Sequence, residues 1–120
     1  MKFLLMIQMN DEAFEALGEE RRNEIMNAHE GFQKMLEERG EMVVTHALAS
    51  PSTSATVRLK DGVPVVTDGP FAEAKEYLAG YYVIDCESRE RALEIAGQMP
   101  EAGFLGVEVR PIMFSSGTEM

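Results

Sequence analysis

Two stretches of this chain have strand length and no polar face. Phe3-Leu4-Leu5-Met6-Ile7-Gln8-Met9 stands at the start, and Leu78-Ala79-Gly80-Tyr81-Tyr82-Val83-Ile84-Asp85-Cys86 lies toward the end. A strand sends successive side chains to opposite sides of its sheet, so a run that is apolar in both positions belongs in the middle of a sheet covered on both faces. The fold must therefore set these two strands centrally and supply an apolar layer above and below them.

Helices supply one layer. Asn10 and Asp11 cap a helical turn, Gly18 interrupts it, and a longer helix runs from about Glu19 to Arg39 with Ile25, His29, Phe32 and Leu36 on its inward stripe. Gly40 stops it. Ser88 caps a second helix that extends to about Met99, closed by Pro100. Between the helices, Met42 to Ala49 alternates as a strand, and Thr56 to Lys60 and Val63 to Thr67 flank Asp61-Gly62, a strong two-residue hairpin signal. Pro64 and Pro111 cannot donate to a ladder, so the second hairpin arm and part of the last strand, Val107 to Phe114, are expected at edges or bulges. Residues 115 to 120 form a frayed tail.

With the hairpin removed, the order is βαββαβ. That is the ferredoxin-like α+β unit, one domain over residues 1 to 120, in which both helices cover the same face of an antiparallel sheet. The second face needs its own cover. A second copy of the chain is the simplest one, which predicts a homodimer.

Charge and cysteine content narrow the partners. With 11 Lys and Arg against 21 Asp and Glu, the net charge of −10 opposes phosphate backbones and anionic lipid, so neither nucleic acid nor membrane is expected as a partner. The apolar start is too short for a signal peptide, and no run approaches the roughly 18 apolar residues of a membrane span. A single cysteine, Cys86, excludes an intrachain disulfide and suits a reducing cytoplasm; between Asp85 and Glu87 it reads as a small buried hydrophobe and not a catalytic thiol.

Few residues carry chemistry. His29 is the one polar member of the inward helical stripe, where a structural hydrogen bond and proton transfer both suit an imidazole. Asp68-Gly69-Pro70-Phe71 has turn chemistry at each position, and Ala72 to Glu76 has the propensity for one helical turn whose amides would face the Asp68 corner. If that corner met His29, the aspartate would fix the imidazole tautomer and make a general base of it. His46 alternates with Val44 and Leu48, and no spacing of histidines and carboxylates forms a metal-ligand set. No phosphate loop or other cofactor motif occurs, so no cofactor is expected. Tyr81 and Tyr82 must point to opposite faces of one strand, one under a helix and the other toward a ligand or partner chain; Arg110 is placed to anchor an anion near that side.

The chain resembles the YCII-related proteins, and within them the group named for the tetrapeptide Asp68-Gly69-Pro70-Phe71. The likeness covers nearly the whole sequence: Met1 to Met6, Ala28-His29-Glu30-Gly31-Phe32, Thr67 to Tyr82, Val83-Ile84-Asp85, and Val107 to Ile112. The resemblance implies a dimeric α+β barrel of ferredoxin-like protomers, with an active site built from a helical histidine and a loop aspartate, here His29 and Asp68. It implies a lyase or isomerase that moves a proton on a small organic acid or lactone. In that reading Lys75 or Arg110 holds the anionic end, and Phe71 and Tyr82 complete the small-molecule site. The alternative it implies is a noncatalytic dimeric module that binds a small molecule or a regulatory protein, such as a sigma factor.

Overall fold

The two doubly apolar runs become the two central strands. The computed structural model describes residues 1–117, and its larger sheet has the order β2-β5-β1-β6, built from β1 (Lys2–Asn10), β2 (Met42–Ala47), β5 (Glu76–Asp85) and β6 (Val107–Pro111). All three of its pairings are antiparallel. Helices α1 (Asp11–Ala16) and α2 (Glu19–Glu38) follow β1, and α3 (Arg89–Gly97) follows β5. With the hairpin of β3 (Ala55–Lys60) and β4 (Val63–Asp68) set aside, this is the expected βαββαβ order.

Capping and breaking residues act where their chemistry predicts. Asn10 Oδ1 accepts from the Ala13 amide at 3.0 Å, and Ser88 Oγ accepts from the Arg91 amide at 3.1 Å. Gly18 separates α1 from α2 at φ 85°, a conformation that costs glycine nothing. The core lies on one side of the sheet: Phe3, Leu5 and Ile7 of β1 and Tyr82 and Ile84 of β5 pack under Phe32 and Leu36 of α2 and Ala92 and Ile95 of α3. On the other face Leu4 stands opposite Val83, Met6 opposite Tyr81, and Val44 opposite Val83, all only partly buried.

Three local expectations change. The last strand ends at Pro111 and not Phe114, because β1 begins at Lys2 and offers one last carbonyl, which the Ile112 amide takes at 3.0 Å. Ala72 to Lys75 form an irregular stretch with bends at Ala72 and Lys75 instead of a helical turn. Four residues between Pro70-Phe71 and the start of β5 cannot offset the cost of helix nucleation. The second strand ends at Ala47, two residues early, where the Leu48 amide makes a last bond to Ala79 O at 2.8 Å before the chain turns at Pro51. Of the expected tail, residues 118–120 lie outside the described residues.

Gly80 sets the spacing between β5 and β2. A Cβ on Gly80 would stand 2.8 Å from the His46 carbonyl oxygen, a backbone atom that cannot swing aside. Gly80→Ala is therefore expected to push β2 outward and cost about 1 to 3 kcal/mol. A urea midpoint within error of the wild type would contradict this packing.

Candidate functional site

Helical periodicity puts His29 and Gln33 on one face of α2, one turn apart. Both reach the hydroxyl of Tyr82, a buried residue on the helix-covered face of β5. His29 Nδ1 is 2.8 Å from Tyr82 Oη, and Gln33 Nε2 donates to the same oxygen at 3.1 Å. The imidazole lies nearly parallel to the phenol, 11° between planes with centroids 5.9 Å apart. Its other nitrogen, Nε2, is 2.5 Å from Glu101 Oε2.

Glu101 arrives from the far end of the chain. After α3, Pro100–Gly103 form a 3-10 turn that packs against α2, with Phe104 edge-on to Phe14 at 5.8 Å. That turn carries the carboxylate under His29, where only 3 % of the residue remains exposed. Glu101 Oε1 is buried and has no hydrogen-bond partner among the described residues. A buried carboxylate oxygen left unpaired costs about 1 to 3 kcal/mol, so its place here needs a reason other than stability.

The network fixes a direction. The Glu101 carboxylate can only accept, so Nε2–H donates to it; Nδ1 then accepts from the Tyr82 hydroxyl, whose oxygen accepts from Gln33 Nε2–H. Burial pushes the Tyr82 phenol above its ordinary pKa, and the Glu101 charge pushes the same way; the Gln33 and Thr45 bonds oppose them. Tyr82 is thus a neutral donor at pH 7.

These groups face a pocket of about 270 Å³, lined also by Ile7, Met9, Met26, Thr45, His46, Ala47, Ala79 and Gly80. Its walls are mostly apolar, and among the described residues lining it none is Lys or Arg. His46 contributes on a second level: its Nδ1 is 2.9 Å from Tyr81 Oη on the open face of the sheet.

The structure divides the residues expected at the site. His29 and Tyr82 meet. Asp68 does not join them: it ends β4, exposed and paired across the hairpin with Ala55, and both ring nitrogens of His29 are already engaged by Tyr82 and Glu101. The carboxylate beside the histidine is Glu101, a residue with no motif around it. Phe71 and the stretch after it line a separate open groove with Leu48, Pro51 and Leu78. Lys75 faces a shallow depression with Asp11 and Tyr77. Arg110 is exposed on the open face of the sheet, bonded to Glu108 at 2.5 Å. Thus neither cation stands at the pocket, and the anion-holding role expected of them has no geometry behind it within the protomer.

Asp68-Gly69-Pro70-Phe71 instead forms the root of the hairpin. The Gly69 amide donates to Ser54 O at 2.7 Å, Thr56 Oγ1 donates to Gly69 O at 3.0 Å, and the Arg58 guanidinium lies 5.3 Å from the centroid of the Phe71 ring. Gly69 has φ 107°, which a side chain would strain.

Among the described residues, no three His, Cys, Asp or Glu side chains gather as a metal-ligand set. No helix among them is long and apolar enough to cross a membrane. Cys86 is buried and its thiol is pushed up in pKa by that burial, which keeps it protonated.

An uncharacterised protein of Rhizobium meliloti (strain 1021) is 36% identical over 108 residues, 86% of each chain. Among solved structures, 5-chloro-2-hydroxyhydroquinone dehydrochlorinase from Burkholderia phenoliruptrix AC1100, in complex with 2,5-dihydroxybenzoquinone, matches with a TM-score of 0.56 over 96% of each chain. At 13% identity that likeness concerns the fold alone. The YCII-related domain matches residues 1–115, and with the 36% identical relative this shows that the chain belongs to the YCII-related domain family.

Proposed function

We propose that the pocket at His29 transfers a proton on a small, uncharged cyclic compound, as a lyase or isomerase does. The observation that carries the reading is the hydrogen-bonded chain Gln33–Tyr82–His29–Glu101 along one wall of the 270 Å³ pocket. In the forward step the Tyr82 oxygen takes the substrate proton while the Tyr82 proton passes to His29 Nδ1. The imidazolium so formed stays bonded to the Glu101 carboxylate, which stabilises it. The electron pair left on the substrate either forms a double bond as a leaving group departs from the adjacent carbon, or is reprotonated at another atom when the relay runs backward.

The absence of Lys and Arg from the described lining argues against a carboxylate substrate, whose charge would be buried unpaired, and for a lactone or hydroxylated ring. The dehydrochlorinase with the similar fold supports elimination as the reaction type. The same reading has the protein acting as a homodimer in the cytoplasm, with the open sheet face of Leu4, Met6, Val44, Tyr81 and Val83 covered by a second copy.

The test is a small panel: chloride release from 5-chloro-2-hydroxyhydroquinone and deuterium uptake from D2O by unsaturated five-membered lactones. Wild type is expected to act on at least one, and Tyr82→Phe and His29→Asn to lose that activity. No turnover above buffer on any member would reject the catalytic reading in favour of a binding module for a small molecule or a regulatory protein.

A further inference from the structure

The hairpin β3–β4 is a part of the chain that its own protomer leaves uncovered. Its register pairs Val57 with Val66 and Leu59 with Pro64, which sets the four on one face. Val57 is 61 %, Leu59 72 % and Val66 65 % exposed. A two-stranded hairpin standing alone is marginal in water, so this apolar face needs a cover.

The dimensions say how much cover is missing. The chain exposes 8157 Å², whereas a folded monomer of its 13.4 kDa would expose roughly 6,500 Å². Its radius of gyration is 16.5 Å against about 13.6 Å for a compact chain of this length. The excess of roughly 1,600 Å² lies within the range that one partner buries in an obligate dimer.

The same protomer carries a surface that fits the arm. A groove of about 890 Å³ opens beside the hairpin root, with Leu48, Pro51, Phe71 and Leu78 as its apolar members and Glu73 and Glu76 as its charges. Leu78 also pairs with Gln8 in the large sheet, so the groove continues into that sheet. Arg58 and Lys60 alternate with Val57 and Leu59 and so lie on the arm's other face. In the protomer Val57, Leu59 and Val66 are all more than half exposed, so they do not lie in its own groove, and the groove that covers them belongs to another molecule.

We propose that β3–β4 is an exchanged arm: the hairpin of each copy lies in the groove of the other, with the Val57, Leu59, Pro64 and Val66 face against the groove's apolar floor. The contact is two-fold and closed, since each chain offers one arm and one groove. It rests on the homodimer reading above, and adds the element that locks it.

The test uses the double variant Val57→Lys/Val66→Glu, which replaces the stripe by a cross-strand ion pair that still supports the hairpin. Sedimentation equilibrium is expected to show a wild-type dimer and a variant whose dimer dissociation constant is raised about 100-fold or more. A monomeric wild type overturns both dimer and arm. A dimeric variant of unchanged affinity overturns the arm and leaves the sheet-face dimer standing. To meet the case of a misfolded variant, Leu59→Cys and a tagged Glu73→Cys, each in a Cys86→Ala background, are mixed and treated with a bismaleimide. A covalent pair of tagged and untagged chains supports the exchange, and its absence overturns it.

Discussion

Glu101→Gln is expected to cut turnover by about 10²- to 10⁴-fold, the range of a lost acid–base function, without unfolding the protein. Among the described residues the carboxylate has one hydrogen bond, at 2.5 Å to His29 Nε2, and through it holds the tautomer and balances the imidazolium. An amide keeps the shape and loses the charge. Because Glu101 Oε1 is buried without a partner, the substitution removes a poorly satisfied anion, so the melting temperature should stay level or rise. His29→Asn should lose as much activity as Glu101→Gln, and the double variant little more, because the two act as a unit. Asp68→Asn, at the exposed end of the hairpin, should leave turnover within about twofold. Chloride release or deuterium exchange, read beside a thermal melt, separates these outcomes. Full activity in Glu101→Gln would remove the dyad from the mechanism.

The contrast between Glu101 and Asp68 shows where sequence reasoning reaches its limit at the site. His29 was legible because it interrupts an apolar stripe, and Tyr82 because a doubly apolar strand must turn one of two adjacent tyrosines inward. Gln33 had a signal that went unused, since it lies four residues after His29 on the same helical face. Glu101 had none. It sits among 21 acidic residues, and nothing local distinguishes a carboxylate on a 3-10 turn that tucks under α2 from one that faces water. Asp68 drew attention because its neighbours make a good turn, and they do; the turn shapes the hairpin root and does not serve the pocket.

The larger architecture was legible for a different reason. Strands without a polar face have few places to go, and β1 and β5 take the central positions that this pattern demands. Asp61 at φ 52° and Gly62 at φ 79° form the hairpin turn their sequence announces. What the pattern left open was the hairpin's placement. Val57, Leu59 and Val66 share one face of the hairpin, and among the described residues β3 and β4 pair only with each other. Periodicity tells which side chains share a face and is silent on whether that face meets this chain or another.

Arg91→Met should cost about 3 to 5 kcal/mol at pH 7, because it strands a buried carboxylate. Arg91 donates from Nε and Nη2 to the two oxygens of Glu41 at 2.9 and 2.8 Å, and both residues are buried where α3 meets the start of β2. Arg39 adds a bond to Glu41 at 3.2 Å from a side chain that is mostly exposed, too weak a partner to replace it. The Arg91 bonds hold the Glu41 carboxyl below its ordinary pKa; burial works against them, and the Arg91 charge assists. A carboxyl whose pKa is lower in the folded state contributes stability above its unfolded value, about 4.3, and loses it as pH falls through the folded value. Wild type should therefore weaken in acid below about pH 4.5, and the gap to Arg91→Met should narrow over the same interval, since a protonated Glu41 has little left to lose. Glu41→Leu/Arg91→Met, which removes both charges, should recover most of the loss at pH 7. Urea midpoints at pH 7, 5 and 3.5 for wild type, Arg91→Met and the double variant decide the matter, and a gap that stays constant with pH would mean that the pair is not what Arg91 contributes.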